Sequence, residues 1–212
     1  MIAYWLYSFA IIAIDEAFPL YCISNKNGLG RQLSETEIGT ILSIAGLFFA
    51  VGQFHAYTWI VDRFGIYGSL SLGCWWGILP VSFIPTAALV DIQVTNQIGI
   101  TMYIALLIGV AKIFQSTFFS SITVTTNRTV PKNVRSSMNG FGGMGAGGAK
   151  ALGPILAGYW MSLCISQVHH GITIAFIGFA FLSLPIYVNL QFLERSEQRD
   201  ANTVTYQVVR NS

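Results

Sequence analysis

Charged side chains are scarce in this sequence. Asp, Glu, Lys and Arg make up 9% of the 212 residues, whereas hydrophobic residues make up 53%. A soluble domain carries roughly 25% charged residues, so too few are present here to cover a water-facing surface. Helices satisfy their own backbone hydrogen bonds in lipid. The composition therefore predicts an all-α, polytopic membrane protein.

Other absences narrow the range of functions. The net charge is only +2 and no basic stripe is present, so nucleic acid is not a predicted partner. The three cysteines lack the spacing of a metal site, and no metal or cofactor is predicted. The sequence also lacks the HExxH motif, the nucleophile elbow and the phosphate-binding glycine loop. We therefore predict no enzymatic activity.

Six apolar runs are present, each long enough for a bilayer crossing, which takes about 20 residues. We predict six transmembrane helices, at residues 3–23, 38–61, 68–90, 98–122, 138–164 and 172–193. Together they form one transmembrane domain over residues 1–193. A polar tail at residues 194–212 follows and is predicted to lie in the cytoplasm.

Basic residues are unevenly divided between the two sides of these predicted helices. One side carries seven of them: Arg63, Arg128, Lys132, Arg135, Arg195, Arg199 and Arg210. The other side carries Lys26 and Arg31. Because cytoplasmic loops are enriched in Lys and Arg, we expect both termini in the cytoplasm, with the chain in the plasma or the vacuolar membrane.

Four charged residues fall near the centres of predicted spans: Asp15, Glu16, Lys112 and Lys150. Each costs about 2.5–3.5 kcal/mol at that depth on insertion scales. Such residues commonly mark solute or proton pathways. The alternative is a carboxylate–lysine pair that only holds helices together. Asp15 and Glu16 lie about 100° apart on a helix, so we do not expect them to share one partner.

Two other polar features of the spans each allow two interpretations. His55 lies in the second span and can relay protons, because histidine titrates near neutral pH; alternatively it is hydrogen-bonded inside the bundle. Residues 114–127, FQSTFFSSITVTTN, are rich in hydroxyls and amides. They suit the wet mouth of a cavity, or else their hydroxyls bond back to carbonyls of their own helix.

The fifth predicted span is rich in glycine. Gly143 and Gly147 have GxxxG spacing, which lets helix backbones approach closely. Gly153 precedes Pro154, which removes one helix hydrogen bond and allows a bend. With Lys150 in the same helix, the pattern predicts a closely packed, bendable moving part; the alternative is tight packing alone.

A proline also follows the intramembrane acids of the first span. Pro19 comes shortly after Asp15 and Glu16, as Pro154 comes shortly after Lys150. Interrupted helices near the bilayer midplane are a pointer to the binding sites of transporters. The two helices are therefore predicted to border such a site.

Several stretches resemble a known family. TWIVDRFGIYGSL, residues 58–70, resembles the loop motif Gly-x-x-x-Asp-Arg-x-Gly-Arg-Arg or Lys of the major facilitator superfamily. Asp62, Arg63 and Gly65 match this motif, whereas Thr58 replaces the first glycine and two uncharged residues replace the basic pair. Its role as a charge latch is therefore incomplete at the basic end.

Two further stretches resemble one branch of that superfamily. IDEAFPLY, residues 14–21, is similar to its seventh helix. TNRTVPKNVRSSMNGFGGMGAGGAKALGPILAGYW, residues 126–160, is similar to its tenth-to-eleventh connection and eleventh helix. This branch contains zinc-induced-facilitator-like proteins and fungal drug:proton antiporters. The chain thus resembles the carboxy-terminal six-helix half of a twelve-helix transporter.

The resemblance implies secondary-active transport of small solutes, coupled to protons or facilitated, by alternating access. Asp15 or Glu16 would bind the proton or a cationic solute, and Lys150 would balance that charge or bind an anionic group. Lys112 is the third candidate. We expect a missing amino-terminal half, or a homodimer mate, to complete the cavity. The alternatives are a six-helix channel, for which no repeated filter is present, and a membrane scaffold that transports nothing.

Overall fold

The fold is all-helical, as the composition predicts. The computed structural model describes residues 1–24, 31–87, 97–167 and 171–210, with side chains described at 1–24, 31–87, 98–167 and 171–196. No β-strand occurs in these ranges. The helices are α1 (Ile2–Ile23), α2 (Glu35–Trp76), α3 (Leu79–Ser82), α4 (Gln97–Thr129), α5 (Arg135–Gln167), α6 (Gly171–Phe181) and α7 (Ser183–Arg210). Turns of 3₁₀-helix cover Ile84–Thr86 and Lys132–Val134.

Four helical stretches of the described chain are long and apolar enough to cross a membrane. They are Ile2–Ile23, Glu35–Thr86, Ile98–Thr129 and Gly171–Ser196. The second stretch contains two of the predicted spans. Helix α5, which contains the predicted fifth span, is not among these four stretches; Lys150, Pro154 and many glycines lie within it. Six crossings therefore remain a prediction.

The chain reverses direction at Gly65, within α2. This glycine has φ +70° inside a run that is otherwise helical. Before it, α2 runs parallel to α4, since a Cβ added at Gly109 would contact Phe48 and one at Gly52 would contact Ile113. After it, α2 runs antiparallel to α4, with the pairs Ser69–Ser121 and Gly77–Gln115. The predicted spans 38–61 and 68–90 thus lie in separate, opposed arms.

Helix α5 packs along α1 through one row of small residues. Ala149, Gly153 and Ala157 of this row are buried. A Cβ added at Gly153 would lie 2.7 Å from Cγ2 of Ile12, which shows how closely the two helices approach. The row repeats every four residues from Gly145, whose missing Cβ leaves room for the ring of Trp5.

Two of the predicted packing glycines of α5 lie off the row that packs on α1. A Cβ added at Gly143 or Gly147 would meet no atom of the described residues within 4 Å, so neither faces another described helix. Both lie two residues from the row that packs, which is about 200° around a helix. In a helix this rich in glycine, small residues are spaced four apart on several faces. The GxxxG spacing alone therefore does not identify the face that packs. Gly153, also predicted, does pack.

The last helix does not end where the transmembrane domain was predicted to end. Helix α7 continues from Ser183 to Arg210, so the polar segment after residue 193 begins as a helical extension. The predicted sixth span, 172–193, is interrupted at Leu182, between α6 and α7. Lys26, one of the basic residues used to predict orientation, lies outside the described residues.

Candidate functional site

Two of the four predicted intramembrane charges meet between α1 and α4. Nζ of Lys112 donates to both carboxylate oxygens of Asp15, at 2.7 Å each. The residues are 97 positions apart in sequence, so only the tertiary fold brings them together. The side chains remain 34% and 44% exposed, respectively, and the pair is therefore open on one side.

A cavity of about 260 Å³ borders this ion pair. Helices α1, α2, α3 and α4 all contribute to its wall, together with the turn at Ile84. Apart from the ion pair and Gln115, the lining is apolar, with side chains such as Phe18, Leu42 and Val81. A pair of opposite charges therefore lies at the edge of an apolar chamber that admits a small molecule.

Gln115 is the third polar group of the cavity. It follows Lys112 by three residues and so lies on the same face of α4. Its side chain is buried, with 4% of the residue exposed. Its Nε2 donates to the backbone oxygen of Gly77 at 2.9 Å. Gln115 was not among the residues predicted for the site, although the stretch that contains it was. Its spacing of three residues from Lys112 does indicate a shared helix face.

Gly77 marks an interruption in the helix opposite α4. Helix α2 ends at Trp76, and the short helix α3 begins at Leu79 with a proline in its first turn. Side chains of other helices bind the carbonyls at the break: Tyr7 Oη donates to Gly73 O at 2.8 Å, and Gln115 donates to Gly77 O. Gly73 O also keeps its backbone bond from the N–H of Gly77, whereas Gln115 supplies the donor at Gly77 O. Interrupted helices are tolerated in a membrane where side chains of neighbouring helices satisfy backbone groups in this way. Sequence analysis did not identify this break.

Pro19 adds a further feature beside Asp15. Proline has no N–H, so position 19 cannot donate the usual helix hydrogen bond to the carbonyl of Asp15, four residues earlier. Pro19 also lines the cavity. Pro154 stands in the same relation to Lys150 in α5. Both prolines therefore leave a charged residue's carbonyl without its regular donor.

Glu16 and Lys150 are placed differently from Asp15. Both are exposed. Among the described residues, neither has a hydrogen-bond or ion-pair partner. The prediction that Lys150 balances the charge of Asp15 is therefore corrected: Lys112 does so. Lys150 follows the buried Ala149 by one residue, which turns it about 100° away from the α1 contact.

His55 lies on an exposed face of α2. It has no hydrogen-bond partner among the described side chains and backbone groups, so neither interpretation of His55 is supported by a contact within this chain. Asp62 and Arg63 of the loop motif are exposed just before the reversal, and Gly65 supplies the reversal itself. None of these residues lines the cavity beside Asp15.

The hydroxyls of α4 bond within their own helix, and some of them also line a cavity. Thr117, Thr123 and Thr125 each donate to the carbonyl four residues earlier, which confirms bonding within the helix. Thr123 and Thr126 also line a second cavity of about 160 Å³, together with Asn139 of α5. The end of α4 therefore combines internal bonding with a small polar opening.

A comparison with known families decides the class of the chain. The family model described as Major Facilitator Superfamily matches residues 1–206. The chain belongs to the Major Facilitator Superfamily. Members of this superfamily are transporters rather than enzymes, and the chain is accordingly a multi-pass membrane protein.

One curated relative is a probable peptide/nitrate transporter of Arabidopsis thaliana, 27% identical over 166 residues. The match covers 76% of this chain and 32% of the relative, so the chain spans about a third of that protein's length. No solved structure matches the chain. The zinc-induced-facilitator-like and fungal antiporter branch remains a prediction.

Proposed function

We propose that this superfamily chain forms one half of a secondary-active transporter that moves small solutes by alternating access and couples this movement to protons. The observation that carries the proposal is the Asp15–Lys112 pair at the edge of a 260 Å³ cavity. This pair is partly exposed and faces a chamber.

Coupling follows from what one carboxylate can bind. Asp15 can be neutralised by Lys112, by a proton or by a cationic group of a solute. Because charge at this depth is expensive without a partner, the three compete. A proton on Asp15 weakens its attraction for Lys112 and opens the contact between α1 and α4. Solute and proton thereby alternate at one site, which is the requirement for exchange transport.

Alternating access requires a second set of helices that faces the cavity. Helix α5 offers a face on which an added Cβ at Gly143 or Gly147 would meet no described atom and on which Lys150 is exposed. We propose that this face meets the other half of the transporter, either amino-terminal helices on the same polypeptide or a second copy of this chain. Lys150 and Glu16 would then be covered by that half and not by lipid.

The proposal is tested by flux in liposomes that contain the full-length protein. A dipeptide, nitrate and leucine serve as labelled probes, with an imposed pH gradient as the driving force. We expect the pH gradient to drive at least one probe across the membrane in the direction opposite to the protons. In Asp15→Asn, this flux should no longer depend on the pH gradient. Gln53→Leu, a change in α2 outside the cavity lining, is the matched control. Gradient-driven flux that survives in Asp15→Asn would contradict the assignment.

A further inference from the structure

Three polar side chains of different chemistry border the same chamber. Asp15 is an anion, Lys112 is a cation, and Gln115 is a neutral amide. The first two neutralise each other in the present structure through the bidentate contact. The remaining walls offer only apolar contact. A solute that enters must therefore replace both ends of the ion pair or neither.

The orientation of the Gln115 amide is fixed by its partner. A backbone oxygen can only accept a hydrogen bond, so the atom of Gln115 that faces Gly77 is the NH₂ group. Its Oε1 has no partner among the described residues, and it is not one of the enclosed polar atoms. The break at Gly77 thus holds the amide so that an acceptor oxygen is left for the cavity.

We propose that the solute of this site is a small zwitterion, with an ammonium group and a carboxylate on one compact apolar body, as in an α-amino acid. Its ammonium donates to Asp15 and to Oε1 of Gln115, and its carboxylate accepts from Lys112. The inference rests on the proposed transport function and names its substrate class. Gln115 becomes a specificity-determining residue for the ammonium end.

The energetics favour a zwitterion over a singly charged solute. When a solute separates Asp15 from Lys112, each of them needs a new partner of opposite charge, because an unpaired charge at this depth is costly. A simple amine satisfies Asp15 and leaves Lys112 unpaired; a simple carboxylate does the reverse. A zwitterion satisfies both, and the number of neutralised charges stays the same.

The part of the chamber that this chain lines is small. Pockets for drug-sized ligands measure about 300–1,000 Å³, and this chamber measures about 260 Å³. Its apolar lining, which includes Phe18, Leu42 and Val81, matches an aliphatic side chain. Leucine is therefore a suitable probe.

Binding of three matched probes tests the inference. Leucine, 3-methylbutylamine (leucine without its carboxylate) and 4-methylpentanoate (leucine without its ammonium group) are titrated into the full-length protein in lipid nanodiscs. We expect leucine to bind at least tenfold more tightly than either analogue. Binding of either analogue as tight as that of leucine, or no binding of leucine at millimolar concentration, would overturn the inference.

Variants assign each end of the solute. In Lys112→Gln, leucine and 3-methylbutylamine should bind equally, because the carboxylate has lost its partner. In Asp15→Asn, leucine should lose most of its advantage over 4-methylpentanoate, because only Gln115 still accepts from the ammonium group. In Gln115→Leu, the two ammonium-containing probes should weaken together while 4-methylpentanoate is unaffected. If Gln115→Leu weakens binding of all three probes equally, the role of this residue is structural. The Lys112→Gln and Asp15→Asn variants then still test the substrate class.

Flux of the same probes in the liposomes, compared with their binding in nanodiscs, separates this inference from the transport proposal. Proton-driven flux of nitrate or the amine, without preference for leucine, would overturn the zwitterion and leave transport intact. Selective binding of leucine without any flux would overturn transport and leave the site intact. Gln53→Leu, outside the chamber lining, should retain the selectivity of the unmodified protein.

Discussion

Lys112 of α4 holds both carboxylate oxygens of Asp15 of α1 at 2.7 Å, and this contact joins the two helices beside an open chamber. Helices α1 and α4 otherwise pack mainly against α5 and α2, respectively. The ion pair is therefore an important link between the two helix pairs as well as the polar part of the cavity wall. Four predictions follow from its setting and from the packing around it.

Removing one member of the ion pair should destabilise the protein more than removing both. Lys112→Gln leaves the carboxylate of Asp15 unpaired, and Asp15→Asn leaves the ammonium unpaired. We expect each single change to lower the free energy of unfolding by an amount between two known cases. Loss of an exposed ion pair costs about 1 kcal/mol, and loss of one partner of a buried pair costs about 3 kcal/mol. Thermal unfolding in detergent measures this. A double variant less stable than both single variants would contradict it.

Two glycines of α5 should respond in opposite ways to alanine. Gly153→Ala places a methyl group 2.7 Å from Cγ2 of Ile12, and β-branched Ile12 has little freedom to move away. We expect a loss of about 1–3 kcal/mol from overpacking. Gly147→Ala meets open space within the described part of this chain. In the chain without its other half it should be neutral or stabilising, because alanine favours helix by about 1 kcal/mol over glycine.

Melting temperatures of the two glycine variants, measured against the unmodified chain, provide the comparison. An equal response at both positions would show that the α1–α5 contact does not depend on the row through Gly153. Gly147→Ala also serves as the control for helix propensity, since both changes add the same methyl group.

The hydroxyl of Tyr7 should stabilise the helix break near Gly77. Tyr7→Phe keeps the stacking on Phe118, whose ring centroid lies 3.7 Å away, but leaves the buried oxygen of Gly73 without this donor. The backbone N–H of Gly77 still donates to that oxygen at 3.0 Å, so the change removes one of its two hydrogen bonds. We expect the free energy of unfolding to fall by about 0.5–1.5 kcal/mol, the net contribution of a typical hydrogen bond. Tyr159→Phe, at an exposed position, is the matched control and should have no effect. Equal unfolding temperatures for both variants would show that the bond contributes nothing.

Lys150→Ala should reduce transport without loss of membrane insertion or stability. Lys150 is exposed and has no partner among the described residues, so its removal breaks no contact within this chain. Its proposed role depends on the other half of the transporter, and flux in the full-length protein is the appropriate measurement. If Lys150→Ala shows normal flux while Lys112→Gln is inactive, Lys150 is not required for transport and Lys112 is the essential cationic residue.

The helical class and most helix positions were predictable from local sequence. Apolar runs identify α1 and α4 closely, because hydropathy is a property of each segment alone. The reversal at Gly65 coincides with the loop motif that sequence analysis recognised. The break at Gly77 was missed because Trp76 and Ile78 keep the run apolar through it. Hydropathy does not register the loss of a few backbone hydrogen bonds.

The sequence by itself determined that charged residues interrupt long apolar runs and that prolines follow two of them, since both are matters of composition and order along the chain. Only the tertiary structure decided that Lys112, not Lys150, pairs with Asp15, and that the row through Gly153, not Gly147, packs on α1. Each residue turns a helix by about 100°. Which side chains face one another therefore depends on how whole helices are rotated and placed, and that information resides in the packing of all of them together.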